Sequence, residues 1–286
     1  GRWLDGKKDR WRYRWNADGS LAKVVRPDKR EVEFTYDALG RRLSKSFGTT
    51  VTRWVWNGNV PLHQWKQRRE YSVMEDRWNT DTERRDMTVW LFDEESFVPV
   101  AMLKEGRSYS ILTDQLGTPT EAYDAEGNEV WSRVLDMDGN VIGETGNKGM
   151  VPFLFQGQYY DRETGLAYNR FRYYSPKMGM YVSQDPIGLA GGILNLYGYA
   201  KDTNYYVDIF GFSLITVYHY TDKKGYNKIK GTGKITVHDP SKRAKGAYNN
   251  PPGVYVSTLS PQEMANQNLG SIGLTNEKTE YVASFT

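Results

Sequence analysis

Hydrophobic and polar positions alternate with a period of two along the first 150 residues, and glycine-centred turns interrupt the alternation at short intervals. In Arg10-Trp-Arg-Tyr-Arg-Trp15 the aromatic side chains fall on one face and the arginines on the other. Asn16-Ala-Asp-Gly19 then turns the chain, Pro27-Asp28 turns it again, and Glu31-Val-Glu-Phe-Thr-Tyr36 repeats the alternation. Further turn signals fall at Asn57-Gly58, Glu105-Gly106, Glu126-Gly127-Asn128 and Asp138-Gly139-Asn140. Gly and Asn tolerate the positive φ that tight hairpins demand. The pattern predicts a mainly β chain: a long antiparallel sheet of short hairpins built from repeating units.

The pattern changes after Phe212. Leu214-Ile-Thr-Val-Tyr-His-Tyr-Thr221 reads as a β-branched and aromatic strand, and residues 222–230 fit a short helix. Gly253-Val-Tyr-Val-Ser-Thr-Leu-Ser-Pro261 reads as a second strand that runs into a helix capped by Ser260, with Pro261 at its first position. Thr279-Glu-Tyr-Val-Ala-Ser-Phe285 reads as a third. This is an α+β sketch with His219 and Tyr255 on separate strands.

Composition sharpens the boundary. Residues 1–212 carry 29 basic and 30 acidic side chains, whereas residues 213–286 carry nine and five. All nine Trp lie at or before Trp131. Two domains are therefore expected, 1–212 and 213–286. Aromatics make up 14% of the chain and Tyr alone numbers 21, which suits a sheet surface better than a Leu-rich helical core. No apolar run reaches the roughly 18 residues of a membrane helix, so a soluble chain without a membrane span is expected. With no cysteine there are no disulfides, no thiolate catalysis and no Cys-based zinc sites. The chain starts at Gly1 in mid-pattern and ends at Thr286 inside a strand-like run, and so reads as a piece of something longer.

Two similar motifs bracket the seam, Asp185-Pro-Ile-Gly-Leu189 and Asp208-Ile-Phe-Gly-Phe212. Aspartates beside Gly and Pro ordinarily form turns by accepting main-chain hydrogen bonds. A resemblance adds a second role. Phe34-Thr-Tyr-Asp-Ala-Leu-Gly-Arg-Arg-Leu-Ser-Lys45 resembles the Tyr-Asp repeat of Rhs proteins, and residues 109–128 are similar to the stretch where such repeats approach their end. Phe155-Gln-Gly-Gln-Tyr-Tyr-Asp-Arg-Glu-Thr-Gly-Leu-Ala-Tyr-Asn-Arg-Phe-Arg-Tyr-Tyr174, followed by residues 185–200, resembles the Rhs core-terminating region. The resemblance covers residues 1–212 and implies a spiralling antiparallel β-shell that encloses the C-terminal segment as cargo. It also implies aspartic-protease-like self-cleavage by Asp185 and Asp208, with the cut between Phe212 and Ser213 and Asp202 as a further candidate for the second carboxyl. The sequence departs from the Rhs pattern at Ile209, where proline is usual, and at Phe212, where leucine is usual. The chemistry expected of such a pair is that two close carboxyls share one proton, so that one polarises a carbonyl while the other activates water.

Residues 213–286 in turn resemble ADP-ribosyltransferase toxins of the His-Tyr-Asp clade, through Tyr218-His-Tyr-Thr221 and Gly253-Val-Tyr-Val-Ser-Thr258. This resemblance places His219 at the ribose of the substrate NAD and Tyr255 against its nicotinamide ring, with Tyr220, Thr221 and Ser257 beside them. Position 258 is Thr where an Asp often follows, which leaves Glu280 as the candidate acid to stabilise an oxocarbenium-like transition state. No metal is expected. The family further implies a toxin made in one bacterium's cytoplasm and secreted with the help of a spike or adaptor of the secretion apparatus. It would act on a protein or RNA in the recipient's cytoplasm, and a cognate immunity protein would guard the producer. Three other readings stay open: an NAD glycohydrolase, a nuclease using His238 beside Asp239, and an inert shell or adhesin-like repeat.

Overall fold

The alternating stretches pair in chain order. In the computed structural model the described residues are 10–211, apart from 95, 189–193, 201, 204 and 205. The backbone of five short strands is described as well: Arg2–Leu4, Lys7–Asp9, Ile215–Thr216, Tyr218–Thr221 and Tyr281–Ser284. A 13-stranded antiparallel sheet runs from Arg12–Trp15 at one edge to Val141–Gly146 at the other. Arg77–Thr80 leaves this path and folds back onto the far end of Val60–Ser72.

The repeat has a local cause. In Asp37-Ala-Leu-Gly40 the Asp37 Oδ1 accepts the amides of Leu39 (2.9 Å) and Arg41 (2.8 Å). Asp114, Asp124 and Asp136 each accept two amides in the same way. Gly40, Gly117, Gly127 and Gly139 close these turns at positive φ, where a side chain would be strained. The ladder slips by a residue beside each such turn, for example between Thr35 and Tyr36 and between Val134 and Leu135. The same slip between Arg14 and Trp15 leaves Trp15 38% exposed, so the alternation expected over residues 10–15 breaks at its last aromatic.

One face of the sheet carries Val24, Val32, Phe34, Trp54, Trp90, Met102 and Trp131 into the core. Against it packs a four-stranded antiparallel cap: Tyr159–Asp161, Leu166–Asn169, Arg172–Ser175 and Met180–Tyr181. Both middle strands are buried along their whole length. Leu166, Tyr168 and Tyr173 face the large sheet, while Ala167, Tyr174 and Tyr181 form a second core on the other side with Phe155 and Tyr199. Sheet and cap are joined by an ionic cluster. Arg42 forks onto both oxygens of Asp161, with 3.1 Å from Nη2 to Oδ1, and Lys45 Nζ reaches Asp161 (2.9 Å) and Glu163 (2.7 Å). The Arg42 guanidinium also lies 4.4 Å from the Trp54 ring and 4.6 Å from that of Tyr168. Burial works against both cations, but Asp161, and for Lys45 also Glu163, outweighs it and holds their pKa values above the usual range.

Beyond the seam, Tyr218–Thr221 pairs antiparallel with Tyr281–Ser284, so the first and third strands expected there are neighbours. The second expected strand and both helices lie outside the described residues. Among the described residues no helix is long and apolar enough to cross a membrane.

Candidate self-cleavage site

The site is built on the face of the cap turned away from the large sheet. Strand alternation puts Asn169, Arg172 and Tyr181 on that face, because Asn169 pairs with Arg172, while Tyr174 stands beside both Ala167 and Tyr181. Asp185, Leu196, Tyr199, Asp208 and Gly211 come up against them from later in the chain.

Arg172 is the hub. Its side chain is 2% exposed, and Nη2 lies 3.1 Å from Asp185 Oδ2 and 3.0 Å from Asp208 Oδ2. Nε donates to the carbonyl of Gly211 and Nη1 to that of Leu196 (3.3 Å). The guanidinium carbon stands 3.6 Å from the Tyr181 ring centre. The two aspartates singled out by their motifs therefore converge on one nitrogen.

The two carboxylates differ in their surroundings. Asp208 is 1% exposed. Its Oδ2 also accepts the Tyr181 hydroxyl (2.9 Å), and its Oδ1 accepts the Gly211 amide (2.8 Å). Its main chain is held as well, with the amide on the Tyr199 hydroxyl (3.3 Å) and the carbonyl on Asn169 Nδ2 (2.7 Å). Asp185 is less enclosed, its side chain being 10% exposed. Its Oδ1 accepts the Ile187 amide (2.9 Å) in the turn that Pro186 and Gly188 shape, while Oδ2 meets Arg172. The turn role and the site role are divided between its two oxygens. Burial, reinforced by the Asp208 charge, holds both the Tyr181 and Tyr199 hydroxyls well above the usual phenol range, so both stay neutral, Tyr181 donating to Asp208 Oδ2 and Tyr199 accepting the Asp208 amide.

Backbone contact fixes the segment before the seam. Gly157 and Gly211 are both at positive φ, and a Cβ on either would run into main chain, that of Ile209 and of Asn169 respectively. The Phe171 amide donates to the Phe210 carbonyl (3.2 Å), and Phe210 packs edge-on against Phe97. Gly211, whose amide and carbonyl are both bonded inside the site, is the last described residue before the expected cut. Phe212 and Ser213 themselves lie outside the described residues.

This geometry revises the expected chemistry of the pair. The sequence suggested two carboxyls competing for one proton, but a guanidinium stands between them and offsets their mutual repulsion. Arg172, Tyr181, Asn169 and Tyr199 were not singled out in the sequence. Asp202 accepts the Tyr206 amide with its main-chain carbonyl (3.0 Å). Of the payload candidates, His219, Tyr220 and Thr221 lie on a strand described at backbone level, with His219 opposite Ala283. Tyr255, Ser257 and Glu280 lie outside the described residues.

A long antiparallel sheet built of Asp-Gly hairpins and closed by a tyrosine-rich cap over an aspartate-bearing seam is the architecture of a YD-repeat shell. Residues 4–205 match the Teneurin YD-shell family, and the chain belongs to it as an Rhs-type shell protein. The probable deoxyribonuclease RhsB of Dickeya dadantii (strain 3937) is 32% identical over 213 residues, which is 71% of this chain and 14% of that protein. The double-stranded DNA deaminase toxin A of Burkholderia cenocepacia (strain H111) is 32% identical over 231 residues, 73% of this chain and 16% of that protein. This chain therefore spans about a seventh of the length of such relatives. The crystal structure of TcdB2-TccC3-Cdc42 shares the fold with a TM-score of 0.56 at 20% identity, over 71% of this chain and 10% of that one. The family match ends at Tyr205, ahead of Asp208 and of the payload.

Proposed function

We propose that this chain is the C-terminal part of an interbacterial toxin whose shell cuts itself between Phe212 and Ser213, freeing the payload from its covalent bond to the shell. The observation that carries the reading is the meeting of Asp185 and Asp208 on Arg172 Nη2, with Gly211 held by Asp208 and Arg172. The surroundings divide the labour. Asp208 spends both oxygens on Gly211, Tyr181 and Arg172 and so positions the seam. Asp185, the less enclosed carboxylate, serves as the base: it takes a proton from the attacking water and returns it to the Ser213 nitrogen as the C–N bond breaks. Arg172 holds the Gly211 carbonyl, one peptide before the scissile bond, and its positive charge would favour the oxyanion that develops on the Phe212 carbonyl. In a test, the 286-residue chain separates into two bands on a denaturing gel, and Asp185→Asn slows the cut about 100-fold or more. Wild-type cutting by both Asp185→Asn and Asp208→Asn would sink the assignment.

For the payload the reading is transfer of ADP-ribose from NAD to a protein or RNA of the recipient cell. Its support is the Tyr-His-Tyr-Thr motif lying on a strand that pairs with Tyr281–Ser284. His219 would contact the ribose, Tyr255 the nicotinamide, and Glu280 would supply the acid. Two relatives, a probable deoxyribonuclease and a DNA deaminase toxin, favour a second reading in which the payload attacks nucleic acid. The two separate in a bacterial lysate given a labelled NAD analogue. Label that enters the protein or RNA fraction and is lost with His219→Ala supports the transferase, and release of nicotinamide without label marks a glycohydrolase. No NAD turnover together with DNA or RNA damage supports the second reading. An immunity protein, a spike or adaptor, and action in the recipient's cytoplasm belong to the same proposal.

A further inference from the structure

The seam is spanned by a strand pairing. Tyr206–Val207, on the shell side, is antiparallel to Ile215–Thr216, on the payload side, with Tyr206 opposite Thr216 and Val207 opposite Ile215. The shell strand is firmly seated. Val207 is 2% exposed and clusters with Leu116 and Ile209 against Phe97 and Phe210, and Asp208 follows it directly into the aspartate site. The expected cut thus falls in the connection between two hydrogen-bonded strands, one fixed in the shell and the other formed by the first residues of the payload.

We infer that the shell positions its seam for cutting by main-chain pairing with payload residues 215 and 216, and so accepts any payload whose backbone can pair there. The inference rests on the self-cleavage proposed above. Ladder hydrogen bonds come from the N–H and C=O groups that every residue except proline carries, so such recognition is indifferent to side chains. Strand addition is an established way to hold an extended segment by its backbone. It suits a shell whose relatives bear differently named activities, a deoxyribonuclease in one and a DNA deaminase in another. Fixing both arms of the connection also restricts where a scissile peptide within it can lie relative to Asp185 and Arg172, which is the orientation that proximity catalysis requires.

The test compares three forms of the full chain: unsubstituted, Ile215→Pro with Thr216→Pro, and Ile215→Ala with Thr216→Ala. Proline removes the ladder donors, and alanine keeps them. The proline pair is expected to slow the cut about ten-fold or more, the effect of losing one or two net hydrogen bonds, while the alanine pair stays within about two-fold of wild type. Thermal melting of the shell controls for misfolding and is expected to be equal in all three, since both substitutions lie on the payload side of the expected cut. Wild-type cutting of the proline form overturns the inference and leaves self-cleavage standing. An alanine form slowed as much as the proline form also overturns it, by showing that side chains are read. No cut in any form overturns self-cleavage and the inference together.

Discussion

Asp185 shows how one residue serves two readings. Its motif predicts a turn, and one oxygen makes that turn; the other joins Asp208 on Arg172. The two positions were legible because similar motifs bracket the point where composition changes, and their pairing was legible only through the resemblance to Rhs proteins. Arg172 was not legible, because its role depends on a cap strand lying buried on both faces, and alternation along a four-residue strand does not reveal that. A signal was nonetheless present. A charged residue within Phe171-Arg-Tyr-Tyr174, an otherwise aromatic run, has to find a buried partner or sit at an edge. Arg42 and Asp161 pose the same problem in the core, and the consequence is measurable. Asp161→Ala leaves Arg42 and Lys45 buried with their main acceptor gone, and is expected to cost about 3–5 kcal/mol in urea unfolding. A loss below 1 kcal/mol would show that the surrounding rings and Glu163 hold the two cations unaided.

At the level of elements, the hairpin sheet follows from the sequence almost directly, since each Asp-x-x-Gly supplies its own turn and its own register slip. The cap does not, because its strands are short and depend on tertiary contacts. The docking of residues 206–211 onto it depends on Gly157, whose Cα faces the Ile209 main chain at φ +80°. Gly157→Ala must both strain φ and push Ile209 away, at an expected cost of about 1–3 kcal/mol. Hydrogen exchange at the Val207 and Ile209 amides is expected to quicken and self-cleavage to slow, while exchange in the large sheet stays unchanged. Unaltered exchange at Ile209 would show that the segment is held by Arg172 and Asn169 alone.

Across the whole molecule the buried tyrosines set a pH limit. Burial is the leading cause that raises Tyr36, Tyr159, Tyr168, Tyr173, Tyr181 and Tyr199, Tyr159 to about 12. Unfolded tyrosine ionises near pH 10, so above that pH the folded chain binds more protons than the unfolded one and stability falls. Lys45, also raised, contributes stability that is full below about pH 10.4 and is lost as pH climbs through its folded value. Arg133 acts in the opposite sense. Burial lowers it to about 10, so its penalty eases above that pH, one group against seven. The melting temperature is therefore expected to fall steeply above about pH 10, with the tyrosinate absorbance of these residues appearing at unfolding and not before it. Their titration near pH 10 in a chain that stays folded would contradict the burial described.

The central claim is that the shell's own aspartates cut the chain at the seam, and intact-mass measurement of the purified 286-residue chain tests it most directly. The account predicts two masses, those of residues 1–212 and of residues 213–286 beginning at Ser213, and the single uncut mass, 32.9 kDa by sequence, for Asp185→Asn. A wild-type chain that stays whole, or an Asp185→Asn chain cut at the same place, would contradict it.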